Sequence, residues 1–112
     1  MSGRQTYLGE FEQVVMLAVV RLGAEAYGTQ IRREIEARGG RAVSIGAAYA
    51  TLDRLVDKGY LRCRELNGGA ERGGAARRYF SPTAAGVAAL KDARTLQTRM
   101  WEGLELPKVR KA

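Results

Sequence analysis

The chain has 112 residues, enough for one domain, and its 46% hydrophobic and 28% charged residues exclude a disordered chain. The formal net charge is +7, and the excess lies in residues 28–80 and in the last five, a localised basicity that favours a polyanionic partner. One cysteine and no histidine exclude a disulfide within the chain, a zinc site and a Cys-His or Ser-His pair, so no metal, cofactor or enzymatic activity is expected.

No signal peptide precedes Leu8, and the longest apolar run, Val14 to Val20, is too short to span a bilayer. A cytoplasmic protein with no membrane partner is expected. A first helix is predicted over about 8–22, closed by Gly23. Phe11, Val15, Ala18 and Leu22 form one stripe, while Val14, Met16, Leu17, Val19 and Val20 fill most of the remaining circumference. A helix apolar nearly all round must be buried on more than one side. In so small a domain the second cover is read as another subunit, with Phe11, Val15 and Val19 assigned to that interface.

Ala26-Tyr27-Gly28 breaks the chain before a second helix over about 29–38, with Ile31 and Ile35 inward. Its surface charges are of mixed sign, and only Arg32 is assigned a phosphate contact. Gly39-Gly40 ends it, and Arg41-Ala42-Val43 is expected to supply a short first strand.

A third helix is predicted over about 45–58. Ser44 is its N-cap and Gly59 its stop, the latter free to enter the left-handed region. Ala48, Leu52, Leu55 and Val56 make an apolar face, and Ala47, Ala50, Thr51, Arg54 and Lys58 a small-to-cationic one. A helix of that kind fits a major groove about 12 Å wide. A hairpin follows over about 60–81. Leu61 and Cys63 alternate with Arg62 and Arg64 as a half-buried strand does, Cys63 being read as a small core residue. The glycine-rich stretch 67–76 carries Arg72, and Arg77 and Arg78 lead the returning strand. A helix followed by a basic hairpin is the recognition helix and wing of a winged helix-turn-helix. The candidate DNA contacts are Arg32, Ser44, Gly46, Ala47, Tyr49, Ala50, Thr51, Arg54, Arg72, Arg77 and Arg78, with Tyr49 donating its phenol to a phosphate.

Residues 83–106 are read as a long C-terminal helix capped by Thr83, ending near Leu104 before Pro107; 107–112 is a basic tail. Val87, Leu90, Ala93, Leu96, Met100, Trp101 and Leu104 make a stripe that a domain over 1–82 has no surface to cover, which marks an interaction site. Leu90, Ala93, Leu96, Met100, Trp101 and Leu104 are therefore assigned to a homodimer seam. Within it, Met100 and Trp101 are assigned to a small planar aromatic ligand, since paired indoles favour offset stacking and a thioether adapts its shape. The fold class is mostly α with a small β-hairpin: a winged helix-turn-helix domain plus a long C-terminal dimerisation helix.

Tyr27-Gly28, Ser44-x-Gly46-x-x-Tyr49-x-x-Leu52-x-Arg54-Leu55, Lys58-Gly59-Tyr60-Leu61, and Arg78-Tyr79-Phe80 leading to Thr83-x-x-Gly86 together resemble the PadR-type transcriptional regulators, in their smaller branch with one helix after the wing. The resemblance covers roughly 8–90. It implies a homodimeric repressor of double-stranded DNA, dimerised through the last helix with help from the first, and in some members responsive to aromatic or drug-like ligands. Three departures stand out, the first being Ala48 and Ala50, which stand where bulkier residues are usual, so sparse direct base readout from this helix is expected. Asp53 sits beside Arg54 where a second cation would be unsurprising, and Pro82 replaces a common leucine and is expected to fray the end of the wing. Two other readings remain: a winged-helix module for protein or RNA without operator binding, and a thiol switch at Cys63.

Overall fold

Capping residues set where each helix begins and ends. Gly9 stands at the start of α1 (Glu10–Leu22) in an extended conformation, and the Glu12 carboxylate turns back to accept its N–H at 2.7 Å. Ser44 caps α3 (Ile45–Asp57) by accepting the Ala47 N–H at 3.0 Å. At the other end Gly59, at φ +81°, donates to the Val56 carbonyl, and Tyr60 donates to that of Leu55. This pair of bonds is a Schellman stop. Between these helices a 3-10 turn (Gly23–Glu25) leads to α2 (Gly28–Gly39). The computed structural model describes residues 7–66 and 77–111.

The wing is an antiparallel hairpin of β1 (Leu61–Leu66) and β2 (Arg77–Pro82), in register from Leu61 opposite Pro82 to Leu66 opposite Arg77. Pro82 does not fray it, because pairing runs to the end of the strand, where a missing N–H is tolerated. The expected strand at Arg41-Ala42-Val43 is absent. That segment is coil, and the Val43 N–H is taken instead by the Glu36 side chain at 3.1 Å. The third position beside the hairpin belongs to the chain before α2: Phe80 N–H donates to the Ala26 carbonyl at 2.8 Å, and Tyr27 bridges to Tyr79.

The core lies where α1, α2, α3 and the hairpin meet. Val15, Met16, Ala18 and Val19 of α1 pack with Ile31 and Ile35, with Ala48, Leu52 and Leu55, and with Leu61 and Phe80. Val15 and Val19 are 0% and 1% exposed inside this single-chain core, so their assignment to a subunit interface is withdrawn. The outward apolar positions of α1 are Leu17 and Val20, while Phe11 is half-buried.

The last helix, α4 (Ala84–Trp101), starts where Thr83 accepts the Gly86 N–H at 3.0 Å and donates its hydroxyl to the Gly59 carbonyl at 2.7 Å. Gly86 is buried where α4 crosses the body, against the Tyr60 carbonyl and the Met16 side chain. Beyond Ala93 every residue of α4 is exposed, so its second half projects as an arm. The helix stops at Trp101 rather than near Leu104, because the chain turns at Gly103, φ +70°.

A methyl group at Gly86 would press on the Tyr60 carbonyl, which cannot swing aside as a side chain can. Overpacking of this kind costs about 1–3 kcal/mol, so Gly86→Ala is expected to lower the melting temperature by about 4–15 °C. A thermal melt unchanged within about 2 °C would contradict this packing.

Candidate nucleic-acid interface

The start of α3 is set by the Ser44 cap, and its outward face is built of small residues. Ser44, Gly46, Ala47 and Ala50 are exposed, as is Ile45. No side chain longer than a hydroxymethyl stands on this face at four of those five positions, so another surface can approach the helix backbone closely. Thr51 does not belong to it. It is 3% exposed, because at this position the helix already turns toward α1, and it is corrected from base contact to an internal role.

Tyr49 is half-buried and packs against the start of α2. Its ring occupies the space that a Cβ at Gly28 would take, so only glycine lets the two helices meet here. The motif pair Tyr27-Gly28 and Tyr49 is thus one packing contact at the mouth of α2.

The cations around α3 are largely committed within the fold. Glu12 is buried, and both its oxygens accept from Lys58 Nζ at 2.8 Å, while Oε2 also accepts from Arg54 Nε at 3.1 Å. Lys58 donates in addition to the Tyr7 carbonyl at 3.0 Å. Burial pushes the Glu12 carboxyl up, but Lys58, the Gly9 N–H and Arg54 outweigh it and hold the group below its ordinary value. Arg78 is drawn to α3: its Nη2 donates to Asp53 at 2.6 Å and its Nε to Cys63 Sγ at 3.4 Å. The Asp53 carboxylate, then the Cys63 sulfur, raise the Arg78 pKa further above its ordinary range. Asp53 therefore clamps the wing to the recognition helix, and Cys63 faces the clamp from the hairpin.

Arg77 points the other way and stacks at 4.0 Å over Tyr27, whose ring meets Tyr79 edge-on at 5.4 Å. Arg32 pairs with Glu36 one turn along α2 at 3.2 Å. Arg62 and Arg64, which the sequence reading left unassigned, are exposed on the same face of β1 and make no ion pair among the described residues. Arg72 lies outside the described residues. Among the described residues no group of acidic, cysteine or histidine side chains could hold a metal ion.

A three-helix core, a capped and small-faced third helix, and a basic hairpin beside it define the winged helix-turn-helix class of DNA-binding proteins. Within that class, this chain belongs to the Transcriptional regulator PadR-like family, which it matches over residues 16–92. It is a transcriptional regulator, not an enzyme. Among solved structures it is similar to a PadR family transcriptional regulator from Eggerthella lenta, at 26% identity and a TM-score of 0.65, covering 84% of this chain and 81% of that one. A PadR-like transcription factor from Bacteroides fragilis shares the fold at 24% identity and a TM-score of 0.69, over 82% and 84% of the two chains. PadR of Bacillus subtilis in complex with operator DNA shares it at 18% identity and a TM-score of 0.64, over 92% of this chain but 55% of that one. No curated protein sequence matches the chain significantly. Among the described residues no helix is long and apolar enough to cross a membrane.

The sequence reading missed Glu12, though the Gly9-to-Glu12 spacing is that of a helix start where a carboxylate folds back. The sign of its linkage to pH is definite. The folded-state pKa is lowered, so its stabilisation is present above the ordinary value of 4.5 and is lost as pH falls through the lower folded value. Denaturant titrations between about pH 3 and 6 are expected to show stability falling at the acid end in the wild type and less so in Glu12→Gln. Parallel curves for the two proteins would contradict the pairing.

Proposed function

We propose that the chain is a cytoplasmic, homodimeric repressor that reads a pseudo-palindromic operator in double-stranded DNA and is released by a small planar aromatic ligand. The observation that carries the DNA reading is the exposed, capped first half of α3, with Gly46, Ala47 and Ala50 outward. Such a surface can sink into a major groove until its backbone nears the base edges. A structure of the same fold holds operator DNA, which supports carrying that partner to this chain. Ser44, Gly46, Ala47 and Ala50 are assigned to the bases. Tyr49, Arg54, Arg32, Arg72, Arg77 and Arg78 are assigned to phosphates, with Arg78 acting from its clamp on Asp53.

The homodimer rests on α4. Leu96, Met100 and Trp101 are 61%, 69% and 53% exposed, and Leu104 beyond the helix is exposed as well. Exposed apolar rows of this kind mark an interface. Leu90 and Ala93 are half-buried and continue the row toward the body. Beside it, a groove of about 650 Å³ opens between Tyr7, Leu8 and Tyr60 on one side and Ala88, Ala89 and Leu96 on the other. A second copy's helix fits a wall lined by alanines. Two recognition helices on a two-fold axis would meet half-sites about one helical turn apart. The ligand is placed at Met100 and Trp101, where symmetry would bring two indoles together; aromatic pairs are worth roughly 0.5–1.5 kcal/mol beyond burial, a modest cost for insertion.

Three results test this reading. Binding to duplex DNA is expected to weaken steeply with salt, at roughly 0.9 units of slope per phosphate contact, and Arg77→Ala with Arg78→Ala is expected to lower the slope by about one to two units. Absence of any salt-dependent duplex binding would favour a module for protein or RNA. Met100→Glu places a charge in the seam and is expected to give monomers in sedimentation, where persistent dimers would refute the interface. Planar aromatic cations or phenolics are expected to quench the single tryptophan saturably and loosen DNA binding. No quenching across a panel of such compounds would leave Trp101 as a plain anchor.

A further inference from the structure

Arg54, on α3, is held at two points, one on α1 and one on α3. Its Nε donates to Glu12 Oε2 at 3.1 Å and its Nη2 to Thr51 Oγ1 at 3.4 Å, which leaves Nη1 with no partner among the described residues. Glu12 is itself fixed, accepting from the Gly9 N–H at 2.7 Å and from Lys58 Nζ at 2.8 Å. The two side chains differ sharply in exposure, 54% for Arg54 and 8% for Glu12. A long, flexible cation is thus moored by its inner edge to a buried post, and its outer edge faces solvent. The charges also favour an anionic partner. Two cations share one carboxylate, and Lys58, the nearer of them, meets both oxygens, so Arg54 keeps charge to spare.

We propose that Glu12, a residue of α1 remote from any base, is a positioning residue for operator binding: it fixes Arg54 so that the outer edge of the guanidinium is presented to a phosphate of the duplex. Phosphate is gripped best by a guanidinium whose planar fork is already oriented. Ordering a free arginine only on binding would cost affinity, and mooring it in advance removes that cost. Thr51 belongs to the same device, since its hydroxyl holds the second nitrogen from the buried side. This inference rests on operator binding by the chain and adds to it a residue that never meets DNA.

The experiment is a double-mutant cycle of Glu12→Gln and Arg54→Ala, with Arg54→Lys beside it. Fluorescence anisotropy would follow binding to a duplex selected from a random pool by the wild-type protein, and circular dichroism would check each fold. Arg54→Ala is expected to reduce the salt slope by about one unit. Glu12→Gln is expected to weaken binding about three- to tenfold in the wild-type background and less than about twofold when Arg54 is already alanine. Arg54→Lys keeps the charge but has no Nε fork to moor, so it is expected to lose about as much as Glu12→Gln. It carries the test if Glu12→Gln fails to fold. Equal losses from Glu12→Gln in both backgrounds would reduce Glu12 to a structural residue and overturn the proposal. So would an Arg54→Lys protein that binds like the wild type, or an unchanged slope in Arg54→Ala. Selection of no duplex by the wild-type protein would overturn operator binding itself, and the positioning role with it.

Discussion

The arrangement of this small protein depends on one buried carboxylate. An isolated carboxylate taken out of water carries a heavy penalty, and it survives in the charged form only with cations and N–H groups around it. Glu12 obtains them from two directions, the Gly9 N–H of its own helix start and the side chains of Arg54 in α3 and Lys58 just after it. Satisfying the charge therefore draws the second half of α3 to the start of α1. The first half of α3 is left outward, small-faced and capped by Ser44. Asp53, the residue before Arg54 on α3, completes the frame by drawing in Arg78 of the wing.

Much of the fold was legible because the local signals agreed. Ser44, Thr83, Gly23 and Gly59 stand where helices start or stop, and the apolar spacing of Ala48, Leu52 and Leu55 matches the buried face of α3. What was illegible came from contacts between distant parts of the chain. Arg41-Ala42-Val43 has β-compatible residues, but the edge of β2 is taken by Ala26 and Tyr27, a choice that no local spacing records. In sequence Val15, from the main apolar stripe of α1, and Val19, from the rest of its circumference, are both assigned to a subunit interface. Neighbouring elements of the core bury them within the chain, and the apolar surplus of α1 is carried instead by Leu17 and Val20.

The candidate site divides in the same way. The small residues at the start of α3 are outward as the face pattern suggested, while Thr51 is turned under by the helix that Glu12 holds in place. Arg54, Lys58 and Arg78 read in sequence as free positive charge. In the fold each meets a carboxylate more than twenty residues away, which a count of charges along the chain cannot reveal. The net positive balance is still available to a polyanion, but it is presented from fixed positions. Arg62 and Arg64 add to it on the other face of the hairpin. The projecting half of α4 supplies what the compact part lacks, an apolar row left exposed among the described residues.

The central claim is that the outward half of α3 enters the major groove. Methylation protection of guanine N7, which lies in that groove, tests it most directly on a duplex selected by the protein. The account predicts two groups of protected guanines about one helical turn apart. It also predicts that Ala47→Glu, which sets a carboxylate on the small face, abolishes both groups. A selected duplex bound with protected phosphates but no protected N7, or protection indifferent to Ala47→Glu, would contradict it.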